Sequence, residues 1–199
     1  MDVVAALRSG APVLLPVDTV YGLCATPDEP AARRVYELKG RDARQPTALL
    51  ASSVAALRTL VPELPEDLDA LLPGPYTLVL GNPGGRYPWL GGETPDRIGV
   101  RVPVLPPATA TAVAAVGAVL ATSANDPGGP NPVMLEDVPP RIRAGCAAEL
   151  DLGPLPGTPS TVVDLTGAEP VVLREGAVSA AEALSRIASW RSRRRPSRS

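Results

Sequence analysis

Histidine is absent from this chain of 199 residues, and the chain contains only two cysteines. Without histidine, Ser-His-Asp and Cys-His triads, imidazole acid–base catalysis and histidine-ligated zinc are excluded. Cys24 and Cys146 lie far apart in the sequence and form neither a Cys-x-x-Cys pair nor a four-thiolate metal site. We interpret both as buried thiols. Any catalysis must therefore use other side chains.

Aromatic residues are also scarce: phenylalanine is absent, and aromatics make up 3% of the chain. Neither the stacking platform of a single-strand binder nor the paired aromatics of an RNA-recognition motif is expected. No apolar run reaches the roughly 18 residues of a membrane-spanning helix, and the N-terminus is unlike a secretory signal. These absences predict a soluble, cytoplasmic protein without a membrane partner.

Basic residues are distributed unevenly. Residues 190–199 contain five arginines and no acid, which leaves 14 bases against 21 acids in the rest of the chain. Such a segment can make a weak contact to RNA, although a run this short is typical of a disordered, solvated terminus. We therefore predict one folded domain over residues 1–190 and a disordered, Arg-rich tail over residues 191–199.

Hydrophobic periodicity predicts strands and helices that alternate along the chain. The predicted strands are 13–17, 47–51, 76–80, 97–102, 118–121, 161–165 and 170–174. The predicted helices are 2–9, 29–39, 53–60, 65–72, 107–116, a less regular stretch near 134–148, and a last helix that begins at Ser179. This order predicts an α/β sandwich around one twisted, mixed sheet, with the functional site at strand ends.

A cluster of cations, Lys39, Arg41 and Arg44, lies where the second predicted helix ends. Cations favour helix C-termini through the helix dipole, so the cluster is compatible with a structural role. However, Lys39 is the only lysine beside 18 arginines. A single retained ammonium favours a position that needs a compact point charge, as phosphate neutralisation does. No glycine-rich nucleotide-binding motif occurs, so a nucleotide would need this or another cradle.

Polar residues follow two of the apolar strands. Ser123 and Asn125 in TSAN can bind phosphate oxygens or a carboxylate, although TSAN is also a plausible turn. Asp18, Thr19 and Tyr21 can bind an amine or a hydroxyl, although an Asx-type turn explains Asp18 and Thr19 equally well.

Three further residues lie in or beside other predicted strands. Arg101 alternates with apolar residues in IGVRVP, as an edge charge or a residue that points into a site would. Ser160 and Arg174 lie at the start and the end of neighbouring strands. None of these positions identifies a function by itself.

Taken together and in order, seven segments resemble the YrdC-like family: PVDTVYGL, KGRDARQP, PGPYTLVL, IGVRVP, ATSAN, PSTVVD and VVLREG. The resemblance runs from about residue 5 to residue 188, and the stand-alone members of this family are threonylcarbamoyl-AMP synthases. It implies a twisted, open, mixed sheet flanked by helices, with a concave basic site. It also implies a role in the N6-threonylcarbamoyladenosine (t6A37) modification of tRNA.

The resemblance also implies roles for individual residues. Lys39 and Arg41 match the family's K-x-R motif and would be catalytic as well as phosphate-binding. The other residues implied to bind ATP or its phosphates are Arg44, Ser123, Asn125, Ser160 and Arg174, and those implied to bind threonine are Thr19, Tyr21 and Arg101. Val17 and Pro127 depart from the family pattern, which commonly has Thr and Ser at these two positions.

The implied reaction joins L-threonine, bicarbonate and ATP into threonylcarbamoyl-AMP and pyrophosphate, and the product would pass to a tRNA threonylcarbamoyl transferase. Negative charge builds up on the phosphates, so its neutralisation by positioned cations and by Mg²⁺ bound with ATP is the main catalytic need. We expect no metal site built by the protein alone. Asp18 and Asp164 are available as bases, but a carboxylate near ATP is repelled unless a metal bridges the two, so we assign no general base.

Two other functions are compatible with the sequence. Related domains in hydrogenase-maturation proteins carry out carbamoyl adenylation from carbamoyl phosphate. An RNA-binding module that uses the Arg-rich tail would instead show salt-dependent RNA binding without ATP turnover. The acidic body and the scarcity of aromatics disfavour the second alternative.

Overall fold

The computed structural model describes residues 2–65 and 67–194. Within them the strands are β1 (Val13–Pro16), β2 (Tyr21–Ala25), β3 (Ala48–Ala51), β4 (Tyr76–Gly81), β5 (Arg97–Arg101), β6 (Ala118–Ser123), β7 (Ala148–Glu149), β8 (Thr161–Asp164) and β9 (Val171–Arg174). The α-helices are α1 (Val3–Arg8), α2 (Glu29–Lys39), α3 (Val54–Leu60), α4 (Pro107–Ala114), α5 (Pro140–Ala144) and α6 (Ala180–Arg194). Short 3₁₀ turns occur at Leu68–Ala70, Pro88–Leu90 and Leu135–Asp137.

The described strands form one open sheet in the order β7-β1-β2-β6-β3-β5-β4-β8-β9. Three neighbouring pairs, β1 with β7, β3 with β5 and β4 with β8, are parallel. The other pairs are antiparallel. The predicted α/β fold with a mixed sheet flanked by helices is therefore confirmed.

Helices cover the two faces of the sheet to different extents. One face packs against α2, α3 and α6 in a large apolar cluster that includes Val35, Leu57 and Ile187. On the opposite face, α1 and α4 pack only over β1, β2, β6 and part of β3, through residues such as Leu7 and Val113. The rest of the second face, over β5, β4 and β8, is therefore available to form a cavity.

Helix α2 begins and ends as its sequence predicts. The carboxylate of Asp28 caps its N-terminus by accepting a hydrogen bond from the Ala31 amide at 2.9 Å. Gly40 follows the last turn in the left-handed region, with φ of 66°, where its amide can reach the carbonyl groups of the preceding turn. This turn places Lys39 at the end of the helix and Arg41 at the start of the next loop.

One predicted helix is wrong and another is only partly confirmed. Residues 67–72 form only the 3₁₀ turn Leu68–Ala70, because Pro65 and Pro73 bracket a segment that is too short for a stable helix. The stretch near 134–148 is divided into the turn Leu135–Asp137, helix α5 and strand β7. Pro139 and Pro140 interrupt it, because proline cannot donate the hydrogen bond that a continuing helix needs.

Strand β2 was not predicted as a separate strand. The chain turns within four residues after β1, where the Val17 amide donates to the Val20 carbonyl at 3.2 Å, and then re-enters the sheet as β2. The turn lacks the Asn-Gly or Gly-Gly pair that normally identifies a tight hairpin in a sequence. All five residues of β2 are buried.

Helix α6 is longer than predicted. The Glu182 amide donates to Ser179 Oγ at 3.3 Å, as the capping pattern predicts, and the helix continues to Arg194. Beyond Trp190, which donates to the Asp67 carbonyl at 3.1 Å, Arg191 donates to the carbonyl of Ala168. These contacts hold residues 191–194 of the predicted disordered tail in the helix, and residues 195–199 lie outside the described part of the chain.

None of the helices formed by residues 2–65 and 67–194 is long and apolar enough to cross a membrane.

The left-handed turn at Gly40 predicts a cost for any side chain at this position. Gly40→Ala should lower the free energy of unfolding by about 1 kcal/mol, because an L-residue disfavours this backbone conformation. Gly81→Ala is the matched control, since Gly81 has no positive φ and an added Cβ would meet nothing within 4 Å. Urea unfolding monitored by circular dichroism measures both changes, and equal losses in the two variants would contradict this account.

Candidate functional site

The uncovered half of the second face contains a cavity of about 650 Å³. Its floor follows from strand alternation: Leu78 and Leu80 of β4 point into the core, whereas Thr77 and Val79 line the cavity. The same alternation on β5 buries Val100 in the core and directs its neighbours Gly99 and Arg101 into the cavity. The walls come from residues 17–20, 45–48 and 121–129.

The cavity carries more positive than negative charge. Five cations line it, against two carboxylates, Asp126 and Asp164; the cations are Lys39, Arg41, Arg97, Arg101 and Arg174. Asp164 is paired with Arg97 at 2.8 Å and Arg101 with Asp18 at 2.7 Å, so three of the cations have no carboxylate partner among the described residues. This arrangement suits a ligand with several negative charges.

Lys39 joins the end of α2 to the loop that follows β6. Its ammonium, on a side chain only 5% exposed, donates to the Asn125 side-chain oxygen at 2.8 Å, to the Asn125 carbonyl at 3.0 Å and to the Ser123 carbonyl. Ser123 Oγ in turn donates to Asn125 Oδ1 at 2.6 Å. The K-x-R and S-x-N segments, 84 positions apart at Lys39 and Ser123, therefore meet at one buried ammonium.

The surroundings of Lys39 lower the pKa of its ammonium to about 8, mainly through burial and in addition through the nearby Arg41 guanidinium. The four acceptor atoms around this ammonium, on Ser123 and Asn125, are all uncharged. Its positive charge is therefore not cancelled by a direct carboxylate contact and stays available to an anion in the cavity.

Arg41 lies beside Lys39 on the cavity wall. One guanidinium nitrogen donates to Thr122 Oγ1 at 3.0 Å and another to the Pro46 carbonyl at 2.6 Å. Burial lowers the pKa of Arg41. The side chain is thus fixed between the loop after α2 and the end of β6, with its charge facing the cavity.

Arg101 and Asp18 form the most buried ion pair among the described residues. Their atoms Nη2 and Oδ1 are 2.7 Å apart, and the two side chains are 12% and 10% exposed. Three strands separate β1 from β5 in the sheet order, so the loop after β1 must fold over the second face to make this contact. Of the two interpretations of Arg101, the cavity-lining one is correct and the edge charge is not.

Ser160 and Arg174 meet on the opposite wall. The Arg174 guanidinium donates to the Ser160 carbonyl at 2.8 Å, and Ser160 Oγ lies 2.9 Å from Thr77 Oγ1. Both residues line the cavity, and burial lowers the pKa of Arg174. Thr19 lines the cavity from the loop after β1.

Two of the predicted site residues do not line the cavity. Tyr21 packs into the core on the other face, because Gly22 is the β2 residue that faces the cavity, and its hydroxyl approaches Asp151. Arg44 points to solvent with its side chain 73% exposed and pairs with Asp42 at 2.6 Å. A position in a matching sequence segment does not by itself direct a side chain into the site.

The sequence reasoning missed Arg97 and Arg141. Arg97 lies four residues before Arg101 on β5, so alternation with a period of two could have identified it as a floor residue. Arg141 donates to the carbonyls of Leu38 and Lys39 and pairs with Asp126, which fixes the Lys39 backbone. No local sequence pattern indicates that Arg141 fixes the Lys39 backbone, because the partners of Arg141 are distant from it in sequence.

Neither cysteine lines the cavity. Cys24 is fully buried in β2 as predicted, whereas Cys146 is only partly buried and its thiol lies 3.2 Å from the Ile142 carbonyl. Burial raises the pKa of both thiols to about 12, so neither is a thiolate nucleophile near neutral pH.

The described residues provide no group of three or more His, Cys, Asp or Glu side chains that could hold a metal ion. A metal ion that enters the cavity would therefore take most of its ligands from a substrate. Mg²⁺ often binds in this way, through phosphate oxygens, water and one or two carboxylates.

The pKa of Lys39 predicts how anion binding depends on pH. A group with a pKa of about 8 is mostly protonated at pH 7 and mostly neutral at pH 9, so its charged fraction falls roughly tenfold. The affinity for inorganic pyrophosphate, measured by calorimetry, should fall correspondingly over this range. Lys39→Met lacks the titrating group, so its pH profile shows only the effect of the titration of pyrophosphate itself. Identical pH profiles for the two proteins would contradict the assignment.

Residues 5–176 match the family model Sua5/YciO/YrdC, whose description reads "Telomere recombination". A threonylcarbamoyl-AMP synthase of Alkalilimnicola ehrlichii is 35% identical over 155 residues, which cover 76% of this chain and 81% of the relative. A threonylcarbamoyl-AMP synthase of Pyrococcus abyssi is 35% identical over 176 residues, or 85% of this chain and 52% of the relative. The chain therefore spans about half the length of the Pyrococcus protein.

Solved structures show the same fold. The P. abyssi Sua5 structure complexed with L-threonine superposes with a TM-score of 0.82 at 33% identity, over 92% of this chain and 56% of that one. The structure of E. coli YciO superposes with a TM-score of 0.77 at 27% identity, over 91% of this chain and 90% of that one.

Proposed function

We propose that this chain, which belongs to the Sua5/YciO/YrdC family, is an L-threonylcarbamoyladenylate synthase. As a nucleotidyltransferase it would condense L-threonine, bicarbonate and ATP to threonylcarbamoyl-AMP and pyrophosphate. The observation that carries the proposal is the buried Lys39 ammonium, which joins the K-x-R and S-x-N segments beside a cavity lined by cations. The names of the relatives support the same activity.

In the proposed reaction, most of the negative charge that has to be stabilised develops on the phosphates. Bicarbonate supplies carbon dioxide by breaking the bond from its carbon to the hydroxyl oxygen, which leaves as hydroxide. The threonine nitrogen forms a bond to the carbon dioxide carbon, and the proton it loses combines with that hydroxide to give water and a carbamate. A carbamate oxygen then forms a bond to the α-phosphorus, while the bond from that phosphorus to the bridging oxygen breaks and pyrophosphate leaves with the electron pair. Preorganised cations stabilise the charge that develops in such a transfer.

The cavity offers separate groups for the two substrates. We assign Lys39 and Arg41, with Ser123 and Asn125, to the phosphates that change charge during the reaction. On the opposite wall, Ser160 and Arg174 would hold the nucleotide. Arg44 is not part of this assignment, because its exposed side chain pairs with Asp42 outside the cavity.

Thr19 and Arg101 would bind threonine. Among the described residues, the Thr19 hydroxyl has no hydrogen-bond partner, and its side chain lines the cavity. Arg101 can attract the threonine carboxylate while Asp18 holds its guanidinium in place at 2.7 Å. Because Asp18 is occupied by this ion pair, we do not assign it as the base that removes the amine proton.

Mg²⁺ would enter with ATP and neutralise phosphate charge when bound. Asp126 and Asp164 line the cavity, but both are already paired, Asp126 with Arg141 and Asp164 with Arg97. The cavity residues therefore fit a metal ion that is bound mainly by the nucleotide.

The product would be consumed by a tRNA threonylcarbamoyl transferase in t6A37 synthesis, which implies action in the cytoplasm. Of the alternatives, carbamoyl adenylation from carbamoyl phosphate would use the same cationic cavity and differs in the carbamoyl donor. An RNA-binding module is less well supported, because the concave, cation-lined cavity suits a small anionic ligand.

Release of pyrophosphate from MgATP tests the proposed function. Omission of either threonine or bicarbonate should abolish sustained release, because the carbamate must form before it can attack the phosphate. Valine should be rejected strongly if the site hydrogen-bonds the threonine hydroxyl, whereas serine lacks only a methyl group worth roughly 1–3 kcal/mol and should be a poor substrate. Release that depends on carbamoyl phosphate instead would establish the alternative donor, and release indifferent to threonine and bicarbonate would refute the synthase.

Loss of the Lys39 charge should slow the chemical step. Lys39→Ala is expected to lower threonylcarbamoyl-AMP formation by about two to three orders of magnitude, the usual effect of removing one preorganised charge contact. Arg33→Ala is the matched control on the same helix, since Arg33 lies outside the cavity, its side chain is 71% exposed and it pairs only with Glu29. Near wild-type formation by a folded Lys39→Ala protein would remove Lys39 from the mechanism.

A further inference from the structure

The segment that connects β7 to β8 has to cross most of the sheet. β7 is at one edge, whereas β8 is next to the other edge, so seven steps between strands separate them. At about 4.8 Å a step this is roughly 34 Å across a flat sheet, and the chain can span at most about 40 Å between residues 149 and 161. Residues 150–160, here named the strap, are accordingly extended, without regular secondary structure.

The second half of the strap reaches the cavity. The Gly157 amide donates to the Thr19 carbonyl at 2.8 Å, and the Leu155 amide donates to the Val133 carbonyl at 2.8 Å. Closer to β8, Pro159 and Ser160 line the cavity themselves. The strap therefore contacts both the loop that carries Thr19 and the wall that carries Ser160.

The first half of the strap is tied down by one buried hydroxyl. Tyr21 Oη lies 2.9 Å from both Asp151 Oδ1 and the Gly153 carbonyl, either of which can accept its single proton. The same oxygen accepts a hydrogen bond from the Leu152 amide at 3.2 Å. Because the Tyr21 ring is fully buried in the core, this anchor is rigid.

Few apolar contacts fix this part of the strap. Its exposed residues are Asp151, Leu152, Pro154 and Pro156. Leu155 is partly buried against the core, and the Leu150 amide donates to the Leu14 carbonyl at 3.0 Å. A segment with few buried contacts depends on its individual hydrogen bonds and opens readily when one of them is removed.

We propose that Tyr21 is a positioning residue for the threonine end of the cavity. Its hydroxyl holds the strap, and the strap holds Thr19 through the bond between the Gly157 amide and the Thr19 carbonyl. Tyr21 acts on the ligand through the strap and not by contact, in agreement with its position on the core face of the sheet. The inference rests on the proposed function where it names L-threonine as the ligand.

Tyr21→Phe removes only the anchoring hydroxyl, and Tyr76→Phe is its matched control. Tyr76 is also buried, but its hydroxyl has no hydrogen-bond partner among the described residues. In Tyr21→Phe, hydrogen exchange of the amides of Leu152, Gly153, Leu155 and Gly157 should become roughly tenfold faster. The Kd for L-threonine from calorimetry should rise five- to tenfold, as the loss of one hydrogen bond predicts. The Kd for MgATP should change less than twofold, and Tyr76→Phe should leave all three values unchanged.

Asp151→Ala provides a second route to the same test, because this exposed residue can be changed with little risk to folding. It should shift exchange and threonine affinity in the same direction as Tyr21→Phe. Unchanged exchange in both variants would overturn the anchor, and faster exchange with unchanged threonine affinity would overturn the positioning role. A wild-type protein that binds MgATP and pyrophosphate but no L-threonine would instead refute the proposed substrate, while the exchange measurement still decides the anchor.

Discussion

The partial covering of one sheet face is the constraint on which the rest of this structure depends. Helices α2, α3 and α6 cover one face of the sheet, whereas on the other face α1 and α4 pack over β1, β2, β6 and Leu50 of β3. On the uncovered half, the strand residues that alternate with the core residues face a cavity. Core and site are thus opposite faces of the same strands, and a shift of one residue in register would exchange them.

The contacts of the Lys39 ammonium show how a charged group is kept inside such a site. Burial of an ionised group is costly unless hydrogen bonds replace its hydration. Ser123 and Asn125 supply those bonds through uncharged oxygens, so the ammonium is satisfied without being neutralised. Its pKa is nevertheless lowered, mainly by burial and in addition by the nearby Arg41 guanidinium. A compact ammonium can reach several such oxygens at once, which a planar guanidinium would do less well.

The absence of histidine is consistent with the chemistry that the cavity supports. Transfer of an adenylyl group needs oriented positive charge more than it needs a nucleophile or a proton relay. Five cations on the floor and walls of the cavity supply that charge. Contacts such as those of Asp18 to Arg101 and of Arg141 to the end of α2 hold these cations in place. Much of this positioning is thus done by residues that do not line the cavity.

The sequence by itself determined the features that depend on neighbouring residues. The caps of α2, the alternation in β5 and the unusual single lysine follow from local chemistry, which favoured a phosphate-binding role for Lys39 but left Arg101 open between an edge charge and a site residue. The ordered segments identified the family, and the resemblance supplied the site roles of Arg41 and Arg101. Only the tertiary structure decided that Arg101 lines the cavity, that Tyr21 faces the core, that Arg44 faces solvent and that the strap reaches the cavity. These features depend on the order of the strands and on which face the helices cover, and both are set by packing between segments distant in sequence.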